Sequence, residues 1–123
     1  MKAEVAQQRS LLEVAELDAE LAKMNHRAGR LPERADIDHH RRVHVSRREE
    51  IAAELNPDLL ALYERQRSGG GPGAALLQGG RCGACRIEID RGELARISAA
   101  TDDEVLRCPE CGAILLRAKA AGR

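Results

Sequence analysis

The chain has 123 residues, with 20 basic and 20 acidic side chains and a formal net charge of zero. Neutrality of the whole chain argues against a general polyanion binder, although it leaves room for local patches. There is no Trp or Phe and a single Tyr, so the large apolar area that aromatic side chains bring to a core is missing. This composition favours helices that pack along one apolar stripe, and a small module of this kind needs an additional stabilising element such as a metal ion.

The apolar residues are too scattered for a membrane segment. No run of about 18 apolar residues exists, so we expect no membrane-spanning helix and no membrane partner. The N-terminus enters an amphipathic pattern without the apolar stretch of a signal peptide. We therefore expect a cytoplasmic protein. Thiols stay reduced in that compartment, which favours metal binding over disulfides for the four cysteines.

Two long helices are predicted in the first half of the chain. From about Glu4 to Arg30, apolar residues recur in steps of three and four, close to a coiled-coil seam. Gly29 and Pro32 mark the end of this helix. A second helix is expected from about Glu33 to Leu55, with an imperfect stripe because two arginines fall on its apolar side.

Asn56-Pro57 interrupts the second helix, and Pro57 can begin a new helical turn through Tyr63. Two helices joined by a short turn pack antiparallel. The sequence therefore predicts a helical, coiled-coil-like hairpin over residues 1–67.

Residues 68–80 are predicted to be a hinge. The segment Ser68–Gly73 consists of Gly and Pro at all positions but its first, so neither helix nor strand continues through it. The alternative is a phosphate cradle. It lacks the Lys-Ser/Thr pair of a P-loop, and no strong buried strand precedes it.

The cysteines form two Cys-x-x-Cys pairs, Cys82 with Cys85 and Cys108 with Cys111, separated by 22 residues. Two residues between paired cysteines let a tight turn present both thiolates to one ion. Two such turns complete a closed tetrahedral shell, which predicts one structural Zn²⁺ ion in a zinc ribbon over residues 81–118. Because the shell is closed, the ion stabilises the fold and does not activate water.

Two other uses of four cysteines stay open at this point. A redox Cys-x-x-Cys pair needs a thioredoxin-like βαβ context, which the flanking sequence does not offer. An iron–sulfur cluster also takes four cysteines, but the doubled pairs suit zinc better.

Short elements are expected around the cysteines. Arg86–Asp90 alternates like a strand, and Arg91–Ala99 is expected to be a short helix. Arg107–Cys108 and Ala113–Leu116 supply further strand. The fold class is therefore mainly α plus small β: an N-terminal helical hairpin followed by a four-cysteine zinc ribbon.

The arginines are unevenly distributed. From Arg27 to Arg48, seven arginines stand against three carboxylates, a net charge of +4 with neutral histidines. Clustered arginine binds phosphate or an acidic protein surface, whereas an ordinary charged helix face is the simpler interpretation. The candidate polyanion or partner patch consists of Arg34, Arg41, Arg42, Arg47 and Arg48.

No catalytic residue is predicted. His40 and His44 are four residues apart on a predicted helix, but Arg41 stands where a metalloprotease helix carries Glu. No Ser/His/Asp set or carboxylate pair has a spacing that indicates a catalytic centre. We expect a protein that is not an enzyme.

The helical stretch, the Gly-rich segment and the sequences CGAC (82–85) and CPECGAIL (108–115) together resemble a bacterial family. It is the family of C4-type zinc ribbon proteins with an N-terminal coiled-coil hairpin, which has actinobacterial members. The resemblance implies an antiparallel coiled-coil hairpin with a ribbon at its base and four cysteine ligands to zinc. Some members act as adaptors or chaperones for secretion and flagellar machinery, and RNA contact has been proposed.

The chain departs from that family in the length of the hairpin. Most of the expected coil is absent between residues 31 and 56, through natural shortening or a deletion. With this in view, the sequence predicts a non-enzymatic adaptor or chaperone-like protein with a protein partner. RNA or DNA binding through the basic patch is the alternative. Homodimerisation is a further expectation, because a two-helix hairpin buries little by itself.

Overall fold

The computed structural model describes the backbone of residues 1–27 and 34–121 and the side chains of residues 1–24 and 38–120. Within that part of the chain, three helices precede a small sheet, and a fourth helix lies between two of its strands. The architecture is mainly α with a small β portion, which confirms the predicted fold class.

Helices α1 (Val5–Arg27) and α2 (Arg34–Glu54) pack against each other as the predicted hairpin. The two predicted end signals of the first helix, Gly29 and Pro32, lie outside the described residues. The α1 stripe provides the contact surface: Leu11 and Val14 are completely buried and cluster with Ile51 of α2.

Helix α3 (Pro57–Ser68) begins where the sequence predicts a new helix. The side-chain oxygen of Asn56 accepts a hydrogen bond from the backbone N–H of Asp58 at 2.9 Å, which caps the helix start. Pro57 occupies the first turn, where no N–H is needed. Leu59 and Tyr63 are buried, so this helix provides one wall of the core.

A four-stranded sheet lies at the end of the hairpin, with the strand order β2-β1-β4-β3. β1 and β4 are parallel, and the two outer pairs are antiparallel. Gly79 and Gly80 join β1 to β2 with φ angles of 57° and 75°, as a two-residue hairpin turn requires. The strands are β1 (Ala74–Gln78), β2 (Arg81–Cys82), β3 (Leu106–Arg107) and β4 (Ile114–Leu116).

Two sequence predictions need correction. The segment 68–80 is not a hinge along its whole length, because it contains β1, which pairs with both β2 and β4. The segment Arg86–Asp90 is not a strand: Arg86 has a φ of 64°, and only Glu88 forms an isolated bridge, to Arg81. Helix α4 (Arg91–Ala99) matches its prediction, with the carboxylate of Asp90 capping its N-terminus.

The hairpin and the ribbon share one core. Leu59 and Tyr63 of α3 belong to the same buried cluster as Ile114 and Leu116 of β4. The amide of Gln8 in α1 is buried as well, and it donates to the backbone carbonyls of residues 3 and 102 at 2.9 Å each. The ribbon is therefore fixed to the base of the hairpin by apolar packing and by hydrogen bonds.

We expect the Gly73→Ala variant to be destabilised by about 2 kcal/mol, because the new methyl group overpacks the core. A Cβ at this position would lie 2.5 Å from Cδ1 of the Tyr63 ring and 2.7 Å from the Tyr63 carbonyl oxygen. The backbone has little freedom to move away, since the Gly73 carbonyl accepts a hydrogen bond from Ile114 at 2.9 Å. Urea unfolding measures the difference.

Gly71→Ala is the matched control for this variant. A Cβ at Gly71 has no neighbour within 4 Å, so its effect should stay within about 0.5 kcal/mol. Equal stabilities of the two variants would show that the glycine-rich segment is a flexible linker.

Candidate metal centre

The first cysteine turn runs from Cys82 to Ile87. The N–H of Arg86 donates to the Cys82 carbonyl at 2.8 Å, and the Cys82 N–H donates to the Ile87 carbonyl at 3.3 Å. The N–H of Ala84 points at the Cys82 Sγ, 3.4 Å away. The turn thus places two sulfurs on the same side and directs amide hydrogens toward one of them.

The second turn repeats this pattern. The N–H of Gly112 donates to the Cys108 carbonyl at 2.9 Å, and the Cys108 N–H donates to the Ala113 carbonyl at 2.8 Å. Gly112 has a φ of 82°, a backbone conformation that glycine adopts without strain. Because the two turns are alike, each presents its two thiolates in the same way to a shared point.

The four sulfurs form a compact tetrahedron. Four sulfurs about 2.3 Å from a central zinc ion lie about 3.8 Å from one another in an ideal tetrahedron. The Sγ atoms of Cys82 and Cys111 are 3.8 Å apart, and those of Cys85 and Cys108 are also 3.8 Å apart. All four lie within 4.8 Å of one another. This set fits one Zn²⁺ ion with a complete protein shell, and the ion is structural.

The thiols differ in how readily they ionise. Burial raises the pKa of the Cys111 thiol to about 12. Burial also opposes ionisation of Cys108, but hydrogen bonds from the amides of Cys111 and Glu110 outweigh it and lower the pKa of Cys108. Burial raises the pKa of Cys82 despite the amide hydrogen bonds to its sulfur. Ionisation of Cys82 and Cys111 is therefore favoured when a cation binds between the sulfurs.

The geometry decides between the alternatives that the sequence left open. A redox Cys-x-x-Cys pair uses only the two thiols of one turn, whereas here the sulfurs of both turns lie within 4.8 Å of one another. An iron–sulfur cluster places inorganic sulfide and more than one iron between its cysteines, so their sulfurs lie further apart than in this set. A single ion bound by four thiolates is the arrangement that fits.

Arg86 holds a backbone conformation that arginine rarely adopts. Its φ of 64° corresponds to the φ of 82° at Gly112, the equivalent position of the second turn. A left-handed conformation costs an L-residue about 1–2 kcal/mol relative to the right-handed one. The first turn therefore carries strain that the second turn avoids.

Replacing Arg86 with glycine should stabilise the zinc-loaded protein by about 0.5–1 kcal/mol, because glycine relieves the left-handed strain at some cost in chain entropy. The thermal unfolding midpoint should rise accordingly. Arg86→Lys keeps the charge and the strain and should leave the midpoint unchanged. A lower midpoint for the glycine variant would contradict the assignment of strain.

The metal centre is tied to α3 by a side chain that sequence reasoning missed. The Nε2 of Gln66 donates to the carbonyl of Cys111 at 2.7 Å, and its Oε1 accepts from Arg107 at 3.0 Å. Arg107 also donates to the Gly112 carbonyl at 2.9 Å. No sequence motif signals this link, because it joins positions that are 45 residues apart.

The predicted basic patch is only partly available to a partner. Arg41 and Arg42 are exposed, and neither forms a salt bridge with a described side chain. Arg47 pairs with Glu13 at the surface, and Arg48 turns inward. Arg34 begins α2, but its side chain lies outside the described part of the chain.

Arg48 belongs to a half-buried charge cluster between α1, α2 and α3. Its Nε donates to Asp18 at 3.1 Å, and a second nitrogen donates to Glu64. The hydroxyl of Tyr63 donates to Asp18 at 2.6 Å, and Arg67 lies 3.2 Å from the same carboxylate. Burial alone would lower the pKa of Arg48, but the hydrogen bonds to the two carboxylates raise it. Arg48 therefore stays charged.

Tyr63 should make the protein less stable at high pH. Burial, together with the hydrogen bond to Asp18, raises the pKa of Tyr63 above its ordinary value. Folding therefore favours the neutral phenol, so this contribution is complete below about pH 10, the unfolded pKa, and is lost as the pH rises further. Phenolate absorbance from this single tyrosine should appear only as the chain unfolds. Ionisation in the folded state would contradict the assignment.

Comparisons with known proteins agree with this geometry. The chain matches the C4-type zinc ribbon domain over residues 81–115 and the CT398-like coiled coil hairpin domain over residues 33–71. A solved structure from Mycobacterium smegmatis is 30% identical and superposes with a TM-score of 0.91, covering 95% of this chain and 100% of that chain. The HP0958 protein from Helicobacter pylori shares the fold, with a TM-score of 0.57 at 20% identity over 68% of this chain and 35% of that one.

The curated relatives match this chain over only part of their own length. An uncharacterized protein from Mycobacterium tuberculosis is 70% identical over 83 residues, which is 68% of this chain and 34% of the relative. One from Mycobacterium leprae is 55% identical over 82 residues, or 67% of this chain and 35% of the relative. The chain thus spans about a third of the length of these relatives. Among the described helices, none is long and apolar enough to cross a membrane.

Proposed function

The chain belongs to the bacterial family of C4-type zinc ribbon proteins with a coiled-coil hairpin, and on that premise we propose that it is a non-enzymatic adaptor for a protein partner. The observation that carries the proposal is the closed metal centre. Four protein thiolates fill the tetrahedral shell, so the ion stabilises the fold of the ribbon and has no open coordination position for a substrate. A cytoplasmic location is part of the proposal, because such a centre persists where thiols stay reduced.

The outer side of α2 is the surface that we propose for the partner. Val43 is 53% exposed, although most valines are buried in folded proteins. The exposed Arg42 precedes it directly, and the exposed Arg41 lies one position earlier. Exposed apolar area next to arginines that form no salt bridge with a described side chain is typical of protein interfaces, in which arginine is enriched and the rim is polar.

The experiment is site-specific photo-crosslinking of the zinc-loaded full chain in extract of the source organism. The crosslinker replaces Val43 in one sample and the exposed Gln78 of β1 in the control. We expect one protein to crosslink from position 43 alone, and Val43→Glu should weaken its binding, measured with purified components, at least about tenfold. The absence of saturable protein binding would overturn the proposal. Crosslinking to a second copy would identify a homodimer instead.

Nucleic-acid binding is the second candidate, favoured by the exposure of Arg41 and Arg42 beside His39 and His40. It predicts binding of labelled RNA that weakens steeply with salt and is lost in the Arg41→Glu/Arg42→Glu double variant. Arg47→Glu is the control, because this side chain is already paired with Glu13 and should matter less. Binding that is indifferent to both changes would rule out this patch.

A further inference from the structure

The four zinc ligands are not equally accessible. Cys82 is 0% exposed and Cys108 is 3% exposed, whereas Cys85 and Cys111 are only partly buried. The accessible pair takes one cysteine from each turn. A reagent arriving from solvent therefore meets Cys85 and Cys111 before the other two sulfurs.

A cleft of about 490 Å³ leads to this accessible pair. Cys85 and Cys111 lie on its wall together with Arg65 of α3, Gly71 and Ala84. Cysteine bound to zinc is a thiolate, which is the nucleophilic form of cysteine. The cleft is large enough to admit a small oxidant such as hydrogen peroxide.

We propose that Cys85 and Cys111 are a peroxide-reactive pair whose oxidation to a disulfide expels the structural zinc ion. All four Sγ atoms lie within 4.8 Å of one another, so a bond of about 2.05 Å between these two needs only a modest approach. Two other pairs are 3.8 Å apart, but each contains a buried sulfur, so accessibility selects Cys85 and Cys111. One thiolate attacks a peroxide oxygen and breaks the O–O bond, which leaves a sulfenic acid and a hydroxide ion. The second thiolate attacks the sulfenic sulfur and displaces a second hydroxide ion.

Two protons from solvent convert the hydroxide ions to water. In sum, two thiolates, one hydrogen peroxide and two protons give one disulfide and two waters. Cys82 and Cys108 then remain as the only thiolate ligands, and two thiolates do not hold zinc in a closed shell.

Loss of the ion has a consequence at α3. The Cys111 carbonyl accepts the hydrogen bond of Gln66, and Arg107 joins the same side chain to the second turn. When that turn changes shape, this link between ribbon and hairpin is broken. The oxidation state of the pair therefore controls how firmly the ribbon is held to the hairpin, and this inference does not depend on the identity of any partner.

The test treats the zinc-loaded full chain with hydrogen peroxide and follows zinc release with a chromogenic chelator. Trypsin then gives the peptides 82–86 and 108–117, each with both cysteines of one turn. We expect the two peptides to be linked, with tandem mass spectrometry locating the bond at Cys85 and Cys111 and one zinc released per disulfide. Reductant and zinc together should restore the ribbon.

Ala84→Leu narrows the cleft and should slow zinc release at least about threefold, because it shields the accessible sulfurs. Ala53→Leu on the exposed side of α2 is the matched control and should leave the rate unchanged. A disulfide within one turn, retention of zinc after oxidation, or equal rates in the two variants would overturn the proposal.

Discussion

Replacing Cys108 with serine should abolish zinc binding and unfold the ribbon. Three thiolates remain in this variant, and the lost sulfur is almost completely buried, so water cannot easily take its place. Binding free energies of structural zinc are about 10–16 kcal/mol in zinc-finger peptides, and that energy is folding energy. Metal analysis should fall from one zinc per chain to none, and the dispersed amide signals of the β4 residues should collapse in nuclear magnetic resonance spectra.

Glu110→Gln is the control in the same turn. The Glu110 side chain is exposed, and only its backbone amide assists the sulfur of Cys108, so the substitution should keep one zinc per chain. Part of the helical signal should survive in the serine variant, because α1 and α2 also pack on each other. A serine variant that retains both zinc and ribbon signals would contradict the closed four-thiolate shell.

Replacing Asp18 with alanine should destabilise the chain by about 3 kcal/mol. The change leaves Arg48, 18% exposed, with one carboxylate partner in place of two, and it removes the acceptor of the buried Tyr63 hydroxyl. Breaking a buried ion pair from one side leaves an uncompensated charge, which costs more than the loss of a surface pair. The free energy of urea unfolding measures the effect.

Glu13→Ala is the matched control, because it removes a carboxylate from the same helix and the same hairpin. Glu13 is 45% exposed and its partner Arg47 is 54% exposed, so loss of this salt bridge should cost less than about 1 kcal/mol. Replacing Asp18 with leucine and Arg48 with methionine together should recover much of the lost stability, since an apolar pair leaves no buried charge. Equal effects of Asp18→Ala and Glu13→Ala would contradict the buried cluster.

The cysteine spacing was enough to predict the metal centre, because all four ligands lie in two short turns whose geometry is local. The α4 helix and the start of α3 were predictable for the same reason, since Asp90 and Asn56 cap them from the adjacent position. The sequence did not predict strand β1, because its pairing depends on residues that are distant in the chain. Ala74–Gln78 has no β-branched residue, and it becomes a strand because it pairs with β4, some forty positions further along the chain.

One local signal for that strand was present. Gly79-Gly80 between two short segments is a typical two-residue hairpin turn, and it places strands on both sides. The role of Arg48 carried no comparable signal. In the sequence it is one more arginine of a basic run, and only the packing of three helices brings it to Asp18 and Glu64. The charge count therefore overstated the basic surface available to a partner, because Arg47 and Arg48 pair with carboxylates of the chain itself.

One zinc ion, held by the four cysteines, stabilises the fold of the ribbon, which packs on the base of the hairpin. The most direct test is native mass spectrometry of the full chain purified without added metal, measured before and after treatment with a strong chelator. The structure predicts one zinc per chain before treatment and loss of both zinc and ribbon structure after it. Iron with sulfide in the native mass, or a metal-free chain that keeps a folded ribbon, would contradict the claim.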